Sequence, residues 1–119
     1  RHELLESIAA VLSPAEVLAA QRAVRAVYVA PPLLDYVQAL IAATRSGQWF
    51  SEGLSPRAGI SLLRAAKAHA LMDRRDYVAP DDVQAVLVQT VAHRLSPLPG
   101  AGRGAGEQVT AMMKSIAVH

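Results

Sequence analysis

From Pro56 to about Met72 the chain carries apolar side chains around most of a helical circumference. Ile60, Leu62, Leu63, Leu71 and Met72 are interleaved with Ala65, Ala66, Ala68 and Ala70, and Arg64 and Lys67 mark a thin polar edge. A helix apolar on most sides calls for neighbours on several sides, and its alanines let them approach closely. No other stretch constrains the fold as much.

The remaining sequence supplies those neighbours. Ser13-Pro14-Ala15-Glu16 reads as a capping box, in which hydroxyl and carboxylate each accept from the other residue's backbone amide. The helix it opens carries Val17, Ala20, Val24, Val27 and Tyr28 on one stripe, with Gln21, Arg22 and Arg25 mostly off it. Ala30-Pro31-Pro32 breaks that helix, and a second begins near Pro32. It is expected to bury Leu33, Val37, Leu40, Ile41 and Thr44, to leave Asp35 and Gln38 in water, and to end at Gly47. The loop GQWFSEG holds the only Trp and the only Phe, and is expected to fold back and hide both rings.

DRRDYV (73–78) is a connector with one extended turn. Pro80-Asp81-Asp82 then opens a fourth helix, proline first and two acids on the turn where the dipole favours them. Its buried stripe is Val83, Val86, Leu87, Thr90 and Val91. SPLPGAGRGAGE reads as a mobile loop poor in packing residues. A last helix, from 107 to about 116, buries Val109, Met112, Met113 and Ile116. The segment LLESIAAVL ahead of Ser13 is expected to form one or two helical turns. No internal repeat is visible. The expected architecture is all-α, a small bundle of about five helices in one domain over 1–119.

Composition agrees. Hydrophobic residues make up 52% of 119, with one Phe, one Trp and three Tyr, so the core is aliphatic and large enough for one domain. No run is long enough to span a bilayer. Zero cysteines exclude a disulfide framework and thiolate metal sites, and fit a reducing, cytoplasmic setting. A formal charge of +2 is too small to argue for a nucleic-acid surface. The first residue is Arg1 rather than Met, and the chain is expected to be a piece excised from a longer protein.

Catalytic constellations are thin. His2, His69, His93 and His119 have no partner at the spacing of a helical metal site. His69, between two alanines, reads as a packed or half-exposed side chain. Asp81 and Asp82 are adjacent on a helix and point in different directions, so they complement the dipole rather than pair on a metal. In GAGRGAG, Gly100, Gly102 and Ala105 match only the loosest dinucleotide fingerprint, with no strand ahead of it. A phosphate-binding GxxxxGK followed by Ser or Thr is absent. No catalytic residue and no metal ligand is assigned within the chain, and the chain alone is expected to be inactive on nucleotides.

Arg57 is the exception to this blandness. Ser55 is a natural helix cap and Pro56 suits the first helical position, but Arg57 places a cation where the helix already presents positive charge. Two readings stand: a surface arginine pairing with Glu52 or another helix's C-terminus, or an anion receptor combining free amides, a dipole and a forked guanidinium.

GLSPRAGISLLRAAKAHALMDRRDYVAPDDVQAV, followed by HRL at 93–95, resembles the C-terminal lid domain of the MoxR family of AAA+ ATPases. That family typically reads G-A/S-S-P-R-A, then L-L-R-A-A-K/Q-A, then G-R-D-Y-V-T-P-E-D-V, then H-R. VLSPAE, QRAVRAVYV and DYVQALIAATR are similar to the lid's earlier helices, so the resemblance covers nearly the whole chain. It implies that Arg57 is the sensor 2 arginine, reaching the γ-phosphate of bound ATP, with Ser55 and Pro56 as the cap that presents it. Asp76, Tyr77, Val78 and Pro80 match a structural connector. It further implies a separate P-loop domain holding ATP and Mg2+, a ring of subunits, typically a hexamer, and chaperone-like remodelling of partners, often ones with von Willebrand A domains.

The sequence departs from the pattern at three places. Leu54 stands where a small residue is usual, Arg74 where glycine is usual, and Ala79 where a threonine cap is usual. All three bear on local packing rather than on Arg57. The rival reading is a helical protein- or nucleic-acid-interaction module without a nucleotide role, contacting its partner through Arg22, Arg25, Arg74 and Arg75.

Overall fold

A computed structural model describes residues 13–100, 102 and 104–117, with the side chains of 91–94 outside that description. Among the described residues there are five helices: α1 Pro14–Ala26, α2 Pro31–Thr44, α3 Pro56–Met72, α4 Pro80–Arg94 and α5 Ala105–Ser115. The expected all-α bundle is therefore the observed one. The segment ahead of Ser13 lies outside the described residues.

Each helix starts where local chemistry favours it. Proline leads four of the five, at the position where a missing amide hydrogen has no intrahelical consequence. Before α1 the capping box is complete: the Ser13 amide donates to Glu16 Oε1 at 3.1 Å and the Glu16 amide to Ser13 Oγ at 3.2 Å.

α3 packs against α1, α2 and α4, and α4 packs in turn against α5 and α2. Leu62, Ala66 and Ala70 of α3 are buried, and they meet a core built from Leu33, Tyr36, Val37 and Leu40 of α2, Val83, Val86 and Leu87 of α4, and Val109 and Met112 of α5. The alanines let the flanking helices come close, as their spacing requires.

The apolar girdle of α3 is nonetheless not covered all round. Ile60 is 62% exposed and Met72 53%, so one face of this helix stays open. α1 likewise buries none of its residues. Of its expected stripe only Val27, just past the helix, is buried, and Ala20 and Tyr28 are exposed. α1 is a cover laid along one side of α3, not a core element.

Two isolated bridges tie the connectors together. Tyr28 pairs with Tyr77: the Tyr28 amide donates to Asp76 O at 2.8 Å and the Val78 amide to Tyr28 O at 2.9 Å. Phe50 pairs with Pro97, the Ser51 amide donating to Ser96 O at 3.1 Å and the Leu98 amide to Trp49 O at 3.3 Å. Gln108 Nε2, buried under this loop, donates to Trp49 O at 2.8 Å. The tryptophan loop thus folds back as expected, with Phe50 buried and Trp49 half-buried. The loop expected to be mobile is instead paired over its first residues, 96–98, where its backbone forms the other half of that bridge. Beyond it, Gly100 and Gly102 adopt positive φ, 81° and 73°, with open space around both.

Candidate functional site

The start of α3 is anchored by the end of α2. Thr44 is fully buried; its Oγ1 donates to Ile41 O at 2.6 Å and accepts from the Leu54 amide at 3.0 Å. Gly53 lies against the same helix end so tightly that a Cβ there would meet Arg45 Cγ, Arg45 Cα at 2.5 Å and Thr44 O at 2.5 Å. Only glycine fits. Leu54, the departure from the small residue of the family pattern, is buried in the core and fastens the segment further.

From that anchor the chain turns into α3. Ser55 is extended (φ −72°, ψ 162°), and its Oγ accepts from the Ala58 amide at 3.1 Å. Pro56 follows with no amide hydrogen to place. Arg57 is exposed and forms no hydrogen bond or ion pair with the described residues, through either side chain or amide. The pairing with Glu52 does not occur. An exposed guanidinium, an uncommitted amide and the positive end of a helix thus sit together, which is the equipment of an anion receptor.

A second constellation was not legible in the sequence. Asp82 is fully buried at the third position of α4 and accepts from Arg75 twice, Nη1 to Oδ2 at 2.7 Å and Nη2 to Oδ1 at 2.7 Å. His69 Nδ1 lies 2.6 Å from Oδ1, and the Ala79 amide donates to Oδ2 at 2.7 Å. Burial alone would raise the Asp82 pKa. The hydrogen bonds from Arg75, Ala79 and His69 outweigh it and bring it down to about 2.

Asp81 and Asp82 do point apart, as expected, the first into water and the second into the core. Dipole complementation accounts for Asp81; for Asp82 it is the lesser part. The carboxylate also supplies the capping bond to residue 79 that the missing threonine hydroxyl cannot reciprocate. The clue in the sequence was an acid three residues after the cap position, with an arginine in the connector before it.

Arg75 is therefore unavailable as a surface contact. Besides Asp82 it donates to Asp73 Oδ2 at 3.0 Å and stacks 5.6 Å from the Tyr77 ring centre. Arg22, Arg25 and Arg74 remain exposed. His69 is held by Asp82 at the edge of the core, the half-exposed packing its setting predicts. His93 has no described side chain, and His2 and His119 are outside the described residues. Among the described residues no three His, Asp or Glu side chains could hold one metal ion, and no helix is long and apolar enough to cross a membrane.

Comparison with known proteins agrees with the resemblance. Residues 42–114 match the family model of the AAA lid domain. The Bacillus subtilis protein YeaC, described as uncharacterized, is 33% identical over 112 residues, 94% of this chain and 35% of its own length. Chaperone MoxR1 of Mycobacterium tuberculosis is 35% identical over 94 residues, 71% of this chain and 25% of that protein. A solved structure from Cytophaga hutchinsonii, described as a putative ATPase, superposes with a TM-score of 0.73 at 26% identity, over 82% of this chain and 33% of that one. The chain spans about a third or less of the length of each of these proteins.

Proposed function

The chain belongs to the AAA lid domains, in the form carried by MoxR-family ATPases, and from that membership we propose that it is the nucleotide-sensing lid of a longer ATP-hydrolysing protein. Arg57 is the sensing residue. It contacts the γ-phosphate of ATP held by a separate P-loop domain, which also supplies the ligands of Mg2+. The observation that carries this reading is Arg57, without a hydrogen-bonding or ionic partner among the described residues, at the capped and anchored start of α3.

A charged side chain at this position normally finds a partner or is absent, because a cation at a helix N-terminus is unfavourable by ~0.3–1 kcal/mol. A γ-phosphate reverses the sign of that term. Arg57 would supply it with a forked, charged donor, and the α3 N-terminus would add favourable positive potential. Hydrolysis and phosphate release remove the charge that holds Arg57, so lid position follows nucleotide state. Turnover by a ring of such subunits, hexameric in the family pattern, converts lid movement into remodelling of partner proteins. Proteins with von Willebrand A domains are the partner class the resemblance points to, in the cytoplasm.

The experiment compares ATP and ADP affinities of the full-length protein with and without Arg57→Ala. The expected result is a selective loss: ATP binding weakens by about tenfold or more, as for a lost charge-assisted contact, and ADP binding is little changed. Equal affinities of variant and wild type for ATP would overturn the reading.

A further inference from the structure

Nothing in the sensor reading explains why a fully buried hydroxyl should sit at the far end of α2. Thr44 belongs to another helix, thirteen residues before Arg57 in the chain, and its hydrogen bonds go to Ile41 and Leu54 rather than to Arg57. Both of its hydrogen-bonding roles are taken by backbone: Oγ1 donates to Ile41 O at 2.6 Å and accepts from the Leu54 amide at 3.0 Å. Leu54 is one residue before the Ser55 cap. Directly beside this bond Gly53 presses on Thr44 O and Arg45 Cα at distances no Cβ tolerates.

Two independent contacts thus pin residues 53 and 54 to one helix end. The Ser55 cap then fixes the direction in which α3 departs. We propose that Thr44, with Gly53, is a positioning device for Arg57: the α2 terminus sets the height and angle of the α3 start, and hence where the guanidinium meets phosphate. This rests on the sensor reading of Arg57 and adds to it a residue outside the GLSPR segment.

The physical argument is one of leverage. Without the Thr44 hydroxyl the buried Leu54 amide loses its acceptor, and the segment must shift to find another. Arg57 follows, because only two residues, the Ser55 cap and Pro56, separate it from Leu54. Phosphoryl transfer is sensitive to displacements of about 1 Å, which can lower rates by about a hundredfold. Binding is less sensitive, since a displaced guanidinium still attracts a dianionic phosphate.

The test uses the full-length protein with Thr44→Val, Thr44→Ser and Gly53→Ala, each alone, and with Thr44→Val combined with Arg57→Ala. Steady-state ATP hydrolysis is measured at a temperature where circular dichroism shows the variants folded. Thr44→Val is expected to lower kcat about tenfold while KM for ATP moves less than about threefold. Thr44→Ser, which keeps the hydroxyl, is expected to restore most of the rate. Gly53→Ala, which leaves Thr44 intact but forces the segment off the helix end, should reproduce the Thr44→Val defect.

The decisive arm is the double variant. If Thr44 acts through Arg57, Thr44→Val changes the rate little once Arg57 is already alanine. A full further tenfold loss in that background means an unrelated structural role and overturns the proposal. So do wild-type rates in Thr44→Val and Gly53→Ala while Arg57→Ala is impaired. Wild-type hydrolysis by Arg57→Ala instead removes the sensor reading, and the positioning proposal falls with it.

Discussion

Arg75 and Asp82 face each other in a two-point ion pair, with both nitrogen–oxygen distances 2.7 Å, the carboxylate wholly buried and the guanidinium 21% exposed. The pair closes the connector between α3 and α4, the two helices at the centre of the bundle. His69 from α3 and the Ala79 amide complete the ring of donors, so the acid at the start of α4 is bonded to the last turn of α3 and to the connector. The forked geometry requires arginine on one side and a short carboxylate on the other.

Asp82→Asn removes the charge while keeping nearly the same shape. The folded chain is expected to lose about 3 kcal/mol, the lower end of the range for a broken buried ion pair, because Arg75 keeps Asp73 and some solvent. Urea unfolding followed by circular dichroism measures it. A loss under about 1 kcal/mol would mean that the pair contributes little beyond an ordinary hydrogen bond.

The same pair sets the acid limit of the fold. The Asp82 pKa falls from an ordinary 3.8 to about 2 in the folded chain, so the folded state favours the ionised form. Its contribution is complete above about pH 4 and disappears as pH drops towards 2, where folded and unfolded chains are both protonated. Glu16, lowered by its hydrogen bonds to Ser13, adds a smaller effect of the same sign. Melting temperature plotted against pH should drop steeply between about 4 and 2. In Asp82→Asn that drop should be visibly shallower. Parallel curves for the two proteins would assign the acid limit to other carboxylates.

Arg74 is the one described residue other than glycine with positive φ, at 60°. It occupies the left-handed position that ends α3: the Arg74 amide donates to Leu71 O and the Arg75 amide to Ala70 O, both at 2.9 Å. Glycine adopts this conformation without strain. Arg74→Gly should therefore stabilise the fold by about 1 kcal/mol, and Arg74→Val should destabilise it by at least as much. Chemical denaturation of the two variants decides it, and destabilisation by glycine would show that the arginine side chain has a compensating contact.

These residues also show what the sequence could and could not reveal. Ser13, Ser55 and Pro56 were legible because a helix start is a local event, decided by two or three neighbouring residues. Thr44 fell on the correct face because it shares the period of Leu40 and Ile41. The two-point pair did not show, since an acid in a first turn already has a sufficient local reason to be there. Its partner is reached only after the left-handed turn at Arg74, which no periodicity records. Ile60 and Met72 failed for the opposite reason: an all-round apolar helix says how much surface wants cover, while the number of neighbours decides which face receives it. Arg57 is singled out by a local conflict with the dipole, and its lack of a partner among the described residues keeps that conflict in place.

That conflict gives the last prediction two separable halves. In the 119-residue chain, Arg57→Ala removes a cation from a helix N-terminus and breaks no hydrogen bond or ion pair among the described residues, so stability should be unchanged or higher by ~0.3–1 kcal/mol. In the full-length protein the same change should lower single-turnover ATP hydrolysis by about a hundredfold, as expected when a charge-stabilising donor is lost from a phosphoryl-transfer site. Arg57→Lys separates charge from geometry. It keeps the positive charge but replaces the fork by a point donor, so it should recover much of the ATP affinity and little of the hydrolysis. Thermal melts of the chain and rapid-quench assays of the full-length protein are run on the same three variants. A structural arginine would give the reverse pattern, a lower melting temperature in Arg57→Ala with hydrolysis intact. Full activity in Arg57→Lys would show that charge alone suffices and that the forked guanidinium is not what the phosphate reads.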